Sequence, residues 1–306
     1  MKSATIIRPG PLCTIQDLGR TSGLRQGISP GGAMDRRALL WANRLLGNPP
    51  SAPALEITLG NAAIFFEHQA TIAITGAACD IWFDGHPANT WRTLSVGAGA
   101  TVEVGFARNG LRLYVAFPGG LMGERFHGSA SVVLREGLEG ELGHVLAPND
   151  QIRWPGAPSA TRRAVPPEFR SLPGDVLTLP IITGYEWADF SAADRRRVFD
   201  TEWTIQPESD RIATRLAGIA LTSGPRVLDS APLVDGTIQI LPDGQPLVFM
   251  RDRPTIGGYP KMGAVVPTAL DTLSQARPGT HVRFVKANVS EARLDMLRQR
   301  DFFGLT

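Results

Sequence analysis

Lysine is close to absent from this chain. Only Lys2, Lys261 and Lys286 occur among 306 residues, so 28 of the 31 basic side chains are arginine. Cysteine is scarcer still. Cys13 and Cys79 lie 66 positions apart, which argues against a disulfide framework and predicts small unpaired core thiols in a reducing cytoplasm. The five histidines, at 68, 86, 127, 144 and 281, include no pair at metal-ligand spacing, so no metal site is expected. His127, in "RFHGSAS", is the best placed for chemistry and otherwise reads as a plain loop residue. No run approaches the ~20 apolar residues that a membrane span needs, and "MKSATIIRPG" lacks the apolar core of a signal peptide. Net charge is only +2, and the densest basic run, "DRRR" at 194–197, reads as a solvated helix face or loop. Nucleic acid is therefore not an expected partner. Neither a phosphate loop of the GxxxxGK(S/T) type nor a GxSxG elbow occurs. Chemistry must rest on carboxylates, hydroxyls, amides, arginine, lysine and backbone N–H groups.

Glycine (33) and proline (24), by contrast, are plentiful, and they punctuate short β-type runs such as "LEITL", "TIAIT", "LRLYVAF", "TIQIL" and "HVRFV". Many short strands between turn signals predict a mainly β chain built from barrels or sandwiches, with a few short helices. The clearest helix is "AMDRRALLWANRLLGN", where Met34, Ala38, Trp41 and Leu45 share one face and Gly47-Asn48-Pro49 ends it. Others are expected across "PTALDTLSQA", opened by Pro267, and after Ser290.

The two halves also resemble each other. Asp35-Arg36 aligns with Asp210-Arg211, Glu56 with Gln239, and Gly99 with Gly279, at offsets of 175, 183 and 180. A proline-rich stretch separates them. This predicts a first β-barrel unit over 1–155, a linker over 156–172 and a second β-barrel unit over 173–306, each with an Asp-Arg at the start of a short helix. Read structurally, an acid in a first helical turn simply favours the helix dipole.

The ordered blocks "TIQDLGR" (14–20), "GGAMDRRALLWANRLLGN" (31–48), "ALEITLG" (54–60), "SDR" (209–211), "GTIQILPDGQPLVFMRD" (236–252) and "GGYPK" (257–261) span most of the chain. In these the sequence resembles the family of C-type 5-oxoprolinase subunits, also called allophanate hydrolase subunit 2, among the biotin-dependent carboxyltransferase-like proteins. The resemblance implies paired cyclophilin-like β-barrels. It also implies two partners, a B-type and an A-type 5-oxoprolinase subunit, and ATP used by the complex to open 5-oxoproline to glutamate. Related domains transfer a carboxyl group from carboxybiotin, with biotin on a partner chain, to urea; that is the alternative reading. A third is a regulatory or binding module that has lost catalysis. Three motifs depart from the family pattern. "GSASV" stands for the usual "GSRST", "SDRIATRL" for "SDRMGYRL" and "PTIGGYPK" for "QTTGGYPK", which places Ala130, Thr214, Pro254 and Ile256 where an arginine, a tyrosine, an amide and a hydroxyl are usual.

Such reactions need cations for a transferred anion and donors for a developing oxyanion. Lys261 suits the first task as a mobile charge over the Gly257-Gly258 loop, and Arg211 as a planar fork. Asp210 or Asp35 is expected to orient an arginine or accept a proton. Gln239 and Gln245 present amides, Tyr259 closes the pocket, and Gly257 and Gly258 let backbone approach a ligand. Arg36 and Glu56, aligned with Arg211 and Gln239, complete the substrate-binding set. At an open site, Lys261→Met is expected to cost less than about 1 kcal/mol of stability.

Overall fold

The computed structural model describes residues 1–137, 143–156, 162–170, 172–222 and 228–305. The fold is mainly β with few helices, and the chain divides into two compact units. Unit 1 comprises Met1–Ser22 and Gly31–Leu172; unit 2 comprises Gly23–Pro30 and Pro173–Thr306.

Unit 1 holds two sheets. The six-stranded sheet runs, edge to edge, Gln151–Trp154, Lys2–Arg8, Gly60–Phe66, Thr101–Phe106, Ile81–Phe83 and His86–Ala88. The five-stranded sheet runs Leu12–Gln16, Ala54–Thr58, Asn109–Ala116, Ala70–Ala78 and Arg92–Val96. Alternation on Lys2–Arg8 buries Ala4 and Ile6, whereas Ala70–Ala78 is buried almost throughout. The reason is helix α1 (Arg36–Leu46), which packs on this sheet; Thr75 Oγ1 donates to the Ala38 carbonyl at 2.7 Å. A strand covered on both faces reads as a continuous apolar run, as "TIAIT" does. The core gathers Phe66, Phe117 and Trp154, with ring centroids 5.0–6.1 Å apart.

α1 stops where the sequence predicts and starts at the expected Asp-Arg, which leaves Met34, read as part of its apolar face, buried just ahead of the helix. The Asp35 carboxylate accepts the Ala38 N–H, and Gly47, at φ 71°, closes the C-terminus with its N–H on the Arg44 and Asn43 carbonyls. The buried face is wider than the expected stripe, because Leu39, Leu40, Ala42 and Asn43 are buried too. The stretch read as a linker also packs on unit 1: Val165 N–H donates to the Trp91 carbonyl, and the Phe169 ring lies 5.7 Å from Trp41. Residues 157–161 and 171 of that stretch lie outside the described residues.

Unit 2 closes a seven-stranded barrel: Val176–Thr183, Lys261–Val265, Thr237–Ile240, Pro246–Phe249, Ala213–Ala217, Trp203–Ile205 and His281–Lys286, the last pairing in parallel with the first. The helices are α2 (Ala192–Asp200), α3 (Pro267–Ser274) and α4 (Val289–Phe303). Pro267 opens α3 as expected. The "DRRR" run lies on α2, yet its Asp194 is fully buried, accepting from Ser191, Thr222 and Arg197.

The aligned anchors fare differently. Gly99 and Gly279 both adopt positive φ, 83° and 89°, just before a strand, and Glu56 and Gln239 are both buried on strands. The Asp-Arg anchor fails. Asp35 caps a helix, but Asp210 caps a turn that leads into the strand Ala213–Ala217.

No helix among the described residues is long and apolar enough to cross a membrane. Cys13 and Cys79 are free and buried. Burial, and then the nearby Asp80, pushes the Cys79 thiol up to about 12; burial, and then Glu56, pushes Cys13 up further. The Tyr114 phenol is likewise raised by burial first. The unfolded chain ionises these thiols near 9.0, so the folded state holds protons that the unfolded state releases. Stability should therefore fall as pH rises above 9 and towards 12. A thiol reagent at pH 8 should label neither cysteine in the native protein and both in denaturant; rapid native labelling would contradict this burial.

Candidate functional site

Lys261 is neither a surface loop lysine nor an open cation. It is the first residue of its strand and 5% exposed. Its Nζ lies 3.4 Å from Glu186 Oε1 and 3.3 Å from the Tyr259 carbonyl, while its backbone N–H donates to Glu186 Oε2 at 2.6 Å. Glu186 is 6% exposed and sits on the short 3-10 helix Tyr185–Asp189. Removing Lys261 therefore does break a buried pair, contrary to the small stability cost expected at an open site.

Gln239 lies opposite Lys261 on the neighbouring strand, at a register shift between Ile238 and Gln239. Such an irregularity re-aims side chains locally. Gln239 Nε2 donates to the Tyr259 carbonyl at 3.1 Å, the same oxygen that the Lys261 ammonium contacts, which leaves Gln239 Oε1 as an acceptor. The glycines before Tyr259 serve the chain itself. A Cβ on Gly257 would meet Gln239 Nε2 at 2.7 Å, and one on Gly258 the Leu228 carbonyl at 3.0 Å. Lys261, Gln239, Tyr259, Gly257 and Gly258 thus come together in unit 2, with Glu186 as the member that sequence reasoning missed.

The other expected residues are engaged elsewhere. Arg211 is buried and binds Asp252 through two parallel contacts, Nε to Oδ2 at 2.8 Å and Nη2 to Oδ1 at 2.9 Å, so its fork is occupied by the protein. Asp210 is exposed, its Oδ1 accepting the Ile212 and Ala213 N–H groups. Gln245 brackets Gly218, donating to its carbonyl at 3.2 Å and accepting its N–H at 2.8 Å. Both amide groups are spent on a backbone turn.

Asp35, Arg36 and Glu56 belong to unit 1. Glu56 Oε2 accepts the Met34 N–H at 2.8 Å and the Tyr114 hydroxyl at 2.7 Å, with Arg112 Nε 3.8 Å from Oε1. Tyr114 in turn accepts the Asp35 N–H at 2.8 Å. This buried network fixes the entry to α1, whose first residue, the partly buried Arg36, follows the cap. Nearby, Asp17 gathers the loop that contains Ala130. Its carboxylate accepts Ser129 Oγ and Ser131 Oγ, both at 2.6 Å, and the Gly19 and Ala130 N–H groups, both at 2.8 Å. His127, at φ 49°, is an exposed loop residue there. Among the described residues no cluster of three or more His, Cys, Asp or Glu could hold a metal ion.

A family model described as "Carboxyltransferase domain, subdomain A and B" matches residues 26–286. The C-type subunit of 5-oxoprolinase from Escherichia coli (strain K12) is 33% identical over 97% of this chain and 96% of its own length. The protein of the same name from Haemophilus influenzae is 32% identical over 91% of this chain and 89% of its own. Among solved structures, the urea amidolyase of K. lactis superposes with a TM-score of 0.91 at 24% identity, covering 98% of this chain and 20% of that one. That likeness establishes the fold.

Proposed function

The chain belongs to the family of carboxyltransferase domains, subdomains A and B, and on that premise we propose that it is a non-autonomous subunit of an ATP-dependent hydrolase opening a cyclic amide, 5-oxoproline to glutamate. The observation that carries this reading is the nearly end-to-end match to the C-type 5-oxoprolinase subunit of Escherichia coli. The unit 2 cluster supports it chemically. A lactam is a cis amide and presents its carbonyl oxygen and its N–H on one edge. Lys261 Nζ, with a third N–H beyond its two contacts, is a donor for that oxygen; Gln239 Oε1 is an acceptor for that N–H. The oxygen is where negative charge grows when the ring carbonyl is attacked, and a fixed ammonium stabilises it there.

Charge balance revises one expectation. Lys261 is neutralised by Glu186, so this cluster suits the uncharged amide edge of a substrate rather than a travelling anion; Arg211, outside the cluster, is likewise neutralised by Asp252. In this reading the cations for an activated phosphoryl or carboxyl group, the ATP site and any biotin lie on the B-type and A-type partners. Urea has the same donor-acceptor edge, so carboxyl transfer to a urea-like substrate is the second reading, favoured by a 28% identity to the urea amidolyase of Lachancea kluyveri.

The test is reconstitution. The purified chain alone should show no ATPase and no amidase activity. Mixed with its B-type and A-type partners it should convert 5-oxoproline to glutamate only with ATP. Turnover by the chain alone, or carboxybiotin-dependent turnover of urea without ATP-dependent lactam opening, would overturn the reading.

A further inference from the structure

Glu186 touches Lys261 at both ends, and the local backbone is built to keep it there. The 3-10 helix Tyr185–Asp189 follows directly on the strand Val176–Thr183. Gly184 N–H donates to the Met262 carbonyl at 2.9 Å, and a Cβ on Gly184 would meet the Gly263 backbone at 3.3 Å. Gly263 itself approaches so closely that a Cβ would lie 2.1 Å from the Ile182 carbonyl. These glycine-dependent approaches press the helix against the start of the lysine strand. The Glu186 carboxylate then divides its oxygens, one on the Lys261 amide and one on the Lys261 ammonium. Tyr185, 76% exposed, adds a solvent-facing phenol, held above its ordinary 10.0 chiefly by a hydrogen bond to the same carboxylate.

A purely structural reading explains this poorly. Burying an ion pair costs desolvation that an apolar pair of similar volume avoids. One oxygen on the backbone and one on the tip of a single side chain removes most of the freedom of a flexible four-carbon stem. We propose that Glu186 is the positioning residue of this site: it holds the Lys261 ammonium beside Gln239 so that donor and acceptor meet one amide edge together. This rests on the reading of Lys261 and Gln239 as the amide-binding pair.

The experiment is a double-mutant cycle in the reconstituted complex, with kinetics expressed per folded chain. Glu186→Gln keeps the shape and one acceptor but releases the charge. It should lower kcat by about 10- to 100-fold, the scale of a misplaced reacting group, with KM within about twofold. Lys261→Met should lower kcat at least as far, and the double variant should be no slower than Lys261→Met, because one residue acts through the other. Glu186→Asp, which keeps the charge and shortens the reach, should fold if Glu186→Gln does not, and should still lose kcat. Unchanged kcat per folded Glu186→Gln or Glu186→Asp chain, or losses that multiply in the double variant, would overturn the positioning role while leaving the amide-binding pair intact. Full activity of Lys261→Met would instead overturn the site itself.

Discussion

Lys261→Met is expected to destabilise the chain by about 3–5 kcal/mol, the usual cost of removing one partner from a buried ion pair. The surviving Glu186 carboxylate would be 6% exposed with its opposite charge gone. It would still accept the Lys261 backbone N–H, so the strand start is retained and the penalty is mainly uncompensated charge. Adding Glu186→Gln to Lys261→Met should recover much of the loss, since an amide can accept the same N–H without a charge to bury. Urea unfolding measures both. A loss under about 1 kcal/mol for Lys261→Met would mean that the ammonium is solvated after all.

Asp17→Ala is the second large effect, and it belongs to unit 1. The carboxylate is 2% exposed and satisfies two hydroxyls and two backbone N–H groups. Each buried donor left without a partner costs roughly 1–3 kcal/mol. The two hydroxyls are buried but can rotate to new acceptors, and the two N–H groups are only partly buried and can turn to water, so a loss of about 1–3 kcal/mol is expected. The damage should be local first. Asp17 ties the 129–131 segment to the 17–19 turn, and its carbonyl accepts the Ala33 N–H just ahead of α1. Trypsin should then cleave after the exposed Arg125 much faster than in wild type, before global unfolding. An unchanged cleavage rate with an unchanged urea midpoint would show that the loop is held by other contacts.

What the sequence discloses depends on the range of each interaction. α1 is legible because cap, apolar stripe and Gly47 all lie within one short stretch, and α3 because Pro267 marks its own position. Asp210 misleads for a physical reason. An N-cap and an Asx-type turn use the same bond, a carboxylate accepting N–H groups two or three residues on, so local sequence cannot tell a helix start from a turn before a strand. The pairings that decide the site are all long-range. Glu186 meets Lys261 across 75 residues, Arg211 meets Asp252 across 41, and Gln245 meets Gly218 across 27. Nothing near "GYEW" distinguishes Glu186 from a surface acid, whereas the rarity of lysine does single out Lys261.

The central claim is that unit 2 binds the substrate amide between Lys261 and Gln239. Its most direct test is turnover by the reconstituted complex carrying Gln239→Glu, a change of a few atoms that keeps volume and an acceptor. It places a negative charge beside the substrate edge and removes the Nε2 bond that orients the side chain on the Tyr259 carbonyl. The account predicts a fall in kcat/KM of about 10²-fold or more in a chain that still folds and still assembles, the scale of losing an oriented contact to the reacting group. Wild-type kcat/KM in a folded, assembled Gln239→Glu complex would contradict it.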